Sequence, residues 1–280
     1  MSARKKAGAV YLAVAALVLA SWIGNIFVYR GNQLPAGGFL RHYIEAPDSG
    51  GSFNLLYVAN RQDNRQVASV FVEDVPGLRF YQPAIQTEMR YQKIYRIMAQ
   101  IDPLGEKSEG EQDPIVIHSV KVQYTDGTSS REDIGEIRIF RQTAPSSGEK
   151  SPISSLSSSS SSDGTGTASM TVKRPVTLTG ISSAWLPVLG NAFEWQANAS
   201  GKKLDLPASL TAKQSLTVSY QFHLPEDNPL SMNVYELMLK MTFQEDSGKT
   251  YDGTLIAEHV PYPSEAEMHA YVRAQRREKA

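Results

Sequence analysis

Leu216-Thr217-Val218-Ser219-Tyr220-Gln221-Phe222-His223-Leu224 alternates apolar and polar residues without a break. A period of two sets Leu216, Val218, Tyr220, Phe222 and Leu224 on one face of an extended chain. Thr217, Ser219, Gln221 and His223 fall on the other, the pattern of a half-buried β-strand. Tyr235, Leu237, Leu239, Met241 and Phe243 repeat it against Glu236, Met238, Lys240 and Thr242. Pro207, Pro225, Asn228 and Pro229 punctuate the connections, and Asp246-Ser247-Gly248-Lys249 reads as a turn into a last strand near 251–260.

Working toward the N-terminus, residues 52–142 have the same style. Tyr95, Ile97, Ala99 and Ile101 share one face, with Arg96, Met98 and Gln100 on the other. Val116, His118, Val120, Val122 and Tyr124 are expected to alternate likewise, running into Thr125-Asp126-Gly127-Thr128. Asp-Gly after such a strand signals a hairpin, because its residues tolerate the positive φ of the turn. Residues 134–140 would be the returning strand. Both halves are about 90 residues long and lack a long helical pattern. The expected fold is therefore all-β: tandem antiparallel β-sandwiches that resemble the immunoglobulin-like architecture. The resemblance is architectural only, since the chain has no cysteine for the buried pair of true immunoglobulin domains.

Between the halves, residues 143–169 include six consecutive serines, Ser157–Ser162, followed by Asp163-Gly164-Thr165-Gly166. Without apolar periodicity this stretch is expected to be a Ser-rich flexible linker. The alternative is one larger sandwich with the stretch as a loop insertion. The expected organisation is a stub (1–6), an anchor (7–29), a juxtamembrane stalk (30–51), sandwich 1 (52–142), the linker (143–169), sandwich 2 (170–262) and a terminal helix (263–280). Ser264 with Glu267 forms a capping box, and acidic Glu265 and Glu267 precede basic Arg273, Arg276, Arg277 and Lys279, which complements a helix dipole. That helix is expected to lie on the last domain through Met268, Tyr271 and Val272. A second possibility makes it a basic handle for anionic lipid or wall polymer.

The anchor follows from 23 uncharged residues, 7–29, after Arg4-Lys5-Lys6. As a helix the run covers about 35 Å, against a hydrocarbon core of about 30 Å. Trp22 and Tyr29 suit the headgroup zone. The basic stub, against only Arg30 and Arg41 in the fifteen residues after the run, favours a cytoplasmic N-terminus and an extracytoplasmic bulk at the cell membrane. Cleavage after Val18-Leu19-Ala20 is the alternative, and it would leave apolar residues 21–29 on the mature end. Removing the stub takes three of the 28 basic and none of the 29 acidic residues, leaving a formal charge of −4 and no basic footprint for nucleic acid. The absence of cysteine excludes disulfides, thiolate metal sites and cysteine nucleophiles.

No catalytic, cofactor-binding or metal-ligating residues are assigned from the sequence. His42, His118, His223, His259 and His269 show no ligand spacing, and His223 near Glu226 and Asp227 reads as a surface histidine. Neighbours Glu258 and His259 point to opposite faces of a strand. No Gly-x-Ser-x-Gly elbow occurs, and Ala36-Gly37-Gly38 lacks the context of a phosphate cradle. Asp102, Glu132, Asp133 and Asp252 are scattered carboxylates. Phe80, Tyr81, Trp185 and Trp195 are expected in cores or at edges rather than as a glycan platform. The expected function is a non-enzymatic, membrane-anchored binding or scaffolding protein, with the bilayer and an unidentified envelope protein or polymer as partners. The alternatives are an accessory subunit of a membrane complex, and a cell-envelope hydrolase whose carboxylates are gathered by the fold.

Overall fold

A computed structural model of the chain describes residues 2–48, 50–73, 75, 77–103, 114–141, 151–225 and 229–278. Strands account for 52% of the chain and helices for 18%, so the protein is predominantly β with a helix at each end. The first part runs α1 (Ser2–Gly31), β1 (Gly38–Phe39), β2 (His42–Pro47), β3 (Ser52–Asn60), β4 (Val67–Phe71), β5 (Leu78–Phe80), β6 (Ala84–Glu88) and β7 (Gln92–Ile101). It continues through β8 (Ile115–Tyr124), β9 (Ser129–Phe140), β10 (Ile153–Ser160), β11 (Thr165–Val172), β12 (Val176–Ser182), α2 (Leu186–Leu189) and β13 (Phe193–Ala199). The remainder is β14 (Lys202–Lys203), β15 (Ala208–Leu210), β16 (Ser215–Phe222), β17 (Val234–Gln244), β18 (Thr250–His259) and α3 (Glu265–Glu278).

These strands form three sheets. A front sheet has the order β1-β3-β7-β5, with β6 also on β7. A rear sheet has the order β10-β11-β16-β13-β14. The third, of eight strands, runs β15-β12-β17-β2-β9-β8-β4, with β18 on the other edge of β17. This sheet is shared between the two halves of the chain, and β2 joins them, parallel to both β17 and β9. Adjacent residues of β2 point to opposite faces. Ile44 enters a core with Phe53, Leu55, Ile97 and Ile137 under the front sheet. Tyr43 instead packs on the core of Leu216, Val218, Phe222 and Leu237 under the rear sheet. The front and rear sheets therefore cover opposite faces of the shared sheet, offset along it.

The alternation read at Leu216–Phe222 and Tyr235–Phe243 corresponds to these burial patterns. At β8 it does not. Val116 is 43% exposed while Ile117 is buried, because a bulge between Ile117 and Ser119 resets the phase before Val120, Val122 and Tyr124. The Thr125–Thr128 turn is present, with Gly127 at φ +81° and Asp126 Oδ1 accepting from the Thr128 N–H at 2.9 Å.

Three expectations are corrected. Residues 30–51 are not a detached stalk. They close α1 and supply β1 and β2, and Gly50-Gly51 is the tight connection from the shared sheet to the front sheet. A Cβ on Gly51 would lie 2.2 Å from the Pro47 carbonyl oxygen. The serine run is likewise not a flexible linker from Ile153 onward: β10 pairs with β11 across a turn at Gly164. Edge strands gain order from the backbone ladder of a neighbour, so serines facing solvent suffice there, and their polarity protects the open edge. Residues 142–150 lie outside the described residues. Finally, α3 does not lie on the last sandwich alone. Met268 and Val272 are fully buried against Leu56, Val58 and Ile94 on the outer face of the front sheet, together with Leu34, Met232 and Val234. The capping box is formed, with Glu267 Oε2 accepting from the Ser264 N–H at 2.7 Å and Ser264 Oγ from the Glu267 N–H at 3.3 Å.

Candidate functional site

The candidate site is assembled around β2. Where β1 leaves the front sheet and the chain crosses into the shared sheet, the ladder of β3 loses its backbone partner. His42 replaces it: the Leu56 N–H donates to Nε2 at 2.8 Å, while Nδ1 faces the Ile134 carbonyl at 3.0 Å. The ring is fully buried, and burial lowers its pKa to about 4, opposed by its bonds to the Ile134 and Leu40 carbonyls. It is therefore a neutral clip with Nδ1 protonated. Gly135 makes the close approach possible. Its φ is +94°, and a Cβ would lie 2.4 Å from the His42 carbonyl oxygen.

Three residues on, Glu45 fills a second gap. β17 pairs with β2 over residues 234–236 and with β12 over 240–244, leaving the segment between without a ladder on that edge. The buried Glu45 carboxylate accepts from the Met238 N–H at 2.9 Å, the Ala184 N–H at 2.9 Å and Ser183 Oγ at 2.6 Å. It thereby stitches the end of β12 and the start of α2 to the strand that joins the halves. Trp185 follows, packed edge-on to Tyr43 (5.1 Å between centroids) and under the Arg138 guanidinium at 4.9 Å.

Beside this stitch the rear sheet stops and the shared sheet turns an open face to solvent. A groove of about 410 Å³ lies at the step, lined by Arg41, Tyr43, His118, Ser119, Asp133, Gly135 and Glu136. The β8–β9 irregularity is what brings His118 and Ser119, adjacent in sequence, to one hollow. His118 Nδ1 lies 3.1 Å from the Gly135 carbonyl, Arg131 Nε donates to Ser119 Oγ at 2.7 Å, and Arg138 pairs with Glu136 at 2.5 Å. Ser119 and His118 are thus engaged with separate partners rather than set as nucleophile and base. The groove offers donors at Arg41 and His118, acceptors at Asp133 and Glu136, and an aromatic wall at Tyr43. Such a mixed lining suits a polar chain with its own donors and acceptors.

The scattered carboxylates are not gathered. Asp102 pairs with Arg79 at 2.6 Å, Asp252 with Lys240 at 2.9 Å, Glu132 accepts from Tyr124 at 2.9 Å and Asp133 from the Gly135 N–H at 2.9 Å. Glu236 and Glu258 lie opposite each other on β17 and β18. Burial, and then Glu258, push the Glu236 carboxyl up to about 8. His223 lies 3.4 Å from Glu194, while Glu226 and Asp227 fall outside the described residues. His259 meets the Ser231 carbonyl at 3.1 Å and Glu258 accepts from Ser160 at 2.5 Å. Phe80 packs on the front core and Trp195 on the rear core, whereas Tyr81 is 47% exposed. Among the described residues no group of three or more His, Asp or Glu could hold a metal ion.

Sequence reasoning missed Arg41, His42, Tyr43, Glu45 and Glu136 as a group. β2 is covered on both faces, so it lacks the period of two that marks a half-buried strand.

No protein-family model and no curated protein matches the chain. Among solved structures it is similar to a protein of unknown function from Porphyromonas gingivalis W83, at 9% identity and TM-score 0.22, covering 81% of this chain and 98% of that one. It is also similar to the YadV chaperone, at 12% identity and TM-score 0.22, covering 79% and 98%. At that score neither similarity carries an argument about function.

Proposed function

We propose that the protein is a single-pass, membrane-anchored extracytoplasmic binding or scaffolding protein without catalytic activity. The observation that carries this reading is α1. It is 30 residues long, about 45 Å, and from Ala13 to Gly31 it is long and apolar enough to cross a membrane. Its side chains there are exposed, Leu17, Trp22 and Phe27 each by more than two-thirds. A helix apolar all round and uncovered by protein calls for lipid. Arg4, Lys5 and Lys6 set the N-terminus in the cytoplasm and residues 30–280 outside.

Both sandwiches are of the immunoglobulin-like type in this reading. The front sheet β1-β3-β7-β5 with β2-β9-β8-β4 follows the order ABED over GFC, the first strand switching sheets and running parallel to the last. The rear sheet with β12-β17-β18 repeats that order. The ligand is an envelope protein or polymer that lies in the groove between Arg41, His118 and Glu136. An accessory-subunit role is the second reading, favoured by the exposed α1, in whose sequence the small residues Gly8, Ala9, Ala13, Ala15 and Ala16 permit close helix approach. The hydrolase reading has less support, because its carboxylates are engaged one by one.

Membrane-impermeant amine cross-linking on intact cells tests the topology and the partner together. The exposed Lys202, Lys203, Lys213 and Lys240 should react. A recurrent protein adduct that disappears in Arg41→Glu supports the groove as its seat. Lysines that react only after lysis would reverse the orientation.

A further inference from the structure

The terminal helix and the anchor meet at one place. Arg276 Nη1 donates to the Arg30 carbonyl at 2.5 Å and lies 3.5 Å from that of Gln33, so an α3 side chain caps a carbonyl in the last turn of α1 and reaches the loop just beyond it. The end of α1 is fixed from the other side as well. Tyr29 donates to Gln62 at 2.9 Å, Gln92 Nε2 donates to the Asn32 carbonyl at 2.6 Å, and Asn60 exchanges two bonds with the Leu34 backbone at 2.7 and 3.0 Å. Tyr91 packs between Tyr29 and His269, each 5.9 Å away. Between the two helices remains an open hollow of about 430 Å³, lined by Val28, Gly31, Asn32, Ala266, His269 and Arg273.

One wall of that hollow is Val28 and Gly31 at the end of α1 with Asn32 beyond them, and the other is Ala266, His269 and the exposed Arg273 of α3. Exposed Arg30, Arg276 and Arg277 stand nearby, against Glu278 at the end of α3. Glu265 and Glu267, at its start, are engaged with the Arg90 and Ser264 backbone N–H groups. We infer that this hollow seats the phosphodiester headgroup of an anionic phospholipid from the bilayer that α1 crosses. The phosphate meets Arg273 and Arg277, and the acyl chain runs down past Val28. The inference rests on the transmembrane reading of α1. If α1 spans the membrane, its Val28–Gly31 turn lies at headgroup level, and the hollow opens where phosphates are. Guanidinium groups suit phosphate oxygens, and an apolar wall continuous with the span suits the chain below them.

The test uses the full chain. Native mass spectrometry of the detergent-solubilised protein titrated with phosphatidylglycerol or phosphatidylcholine should show several-fold preferential retention of the former. Arg273→Gln with Arg277→Gln should reduce the preference by on the order of fivefold per charge. Both side chains are exposed and Arg276 is left intact, so the helix cap survives. Equal retention of the two lipids by the wild type, or an unchanged preference in the variant, overturns the inference. Flotation with vesicles separates this from failure of the span. Wild type and variant should both float, and a wild type that does not float removes the span and this site together.

Discussion

Replacing His42 by glutamine should change how stability depends on pH, and the size of the change follows from the geometry. In the folded protein the ring is buried, accepts from Leu56 and faces the Ile134 carbonyl, and it resists protonation down to about pH 4. In the unfolded chain it titrates near 6.5. As pH falls through 6.5 the unfolded state takes up a proton that the folded state refuses, so stability is lost on acidification. The difference of about 2.5 pH units corresponds to about 3.4 kcal/mol in full, of which about 2.5 kcal/mol is lost between pH 7.5 and 4.5. Glutamine keeps one acceptor and one donor but does not titrate. Other groups, among them His259, lowered by burial, and Glu236, raised by burial, are common to both proteins and cancel in the difference. Urea denaturation of the full chain in detergent, followed by tryptophan fluorescence at both pH values, measures the gap. His42→Gln is expected to be the less stable protein at pH 7.5, by a margin that shrinks by about 2.5 kcal/mol at pH 4.5. A margin that stays constant would mean that His42 titrates alike in both states, and the clip would be refuted.

Glu45→Ala should cost about 3 kcal/mol or more, because it strands the buried Met238 and Ala184 N–H groups together with Ser183; the same denaturation assay measures it, and a loss below about 1 kcal/mol would count against the stitch. Gly135→Ala should destabilise by at least about 2 kcal/mol, since its Cβ meets the His42 carbonyl at 2.4 Å on a φ of +94°. Glu236 works in the opposite direction to His42. Its folded pKa of about 8 lies above the ordinary carboxyl value, so the stability it confers is present in acid and lost as pH rises through 8. Glu236→Gln should therefore flatten the fall between pH 5 and 9, as read from the denaturation midpoint.

The sheet strands were legible wherever one face is core and the other solvent. Leu216–Phe222 and Tyr235–Phe243 state their burial in every second residue. Three features escaped for three physical reasons. β2 is covered on both faces and so has no alternation to display. The β8–β9 ladder is irregular between Ile117 and Ser119, where β9 advances four residues against two on β8, and the burial phase changes there, with Ile117 in the core and Val116 out of it. β10 is an edge strand whose order comes from backbone pairing to β11, which a serine run neither announces nor opposes. The groove shared the fate of β2. Its lining comes from the approach to β2, a bulge and a glycine turn far apart in the chain, and none of these residues recommends another by spacing.

The same strand governs how the anchor relates to the rest of the molecule. A spacer of twenty polar residues after a membrane helix would let the folded part diffuse over a range set by chain statistics, roughly 25 Å for a flexible segment of that length. Here only ten residues separate Gly31 from His42, and they are spent on β1 and on contacts that pin Asn32 and Leu34 to the front sheet. β2 then enters the shared sheet between β9 and β17, one strand from each half. Arg276 closes the loop by returning the C-terminal helix to the end of α1. A tilt of α1 is thus transmitted to both halves through hydrogen-bonded backbone rather than absorbed by a tether. The groove beside Tyr43, and any ligand of the proposed kind within it, would be held at a fixed offset from the helix end. For the binding role proposed above, this arrangement would favour presenting a partner at one height and orientation over searching for it.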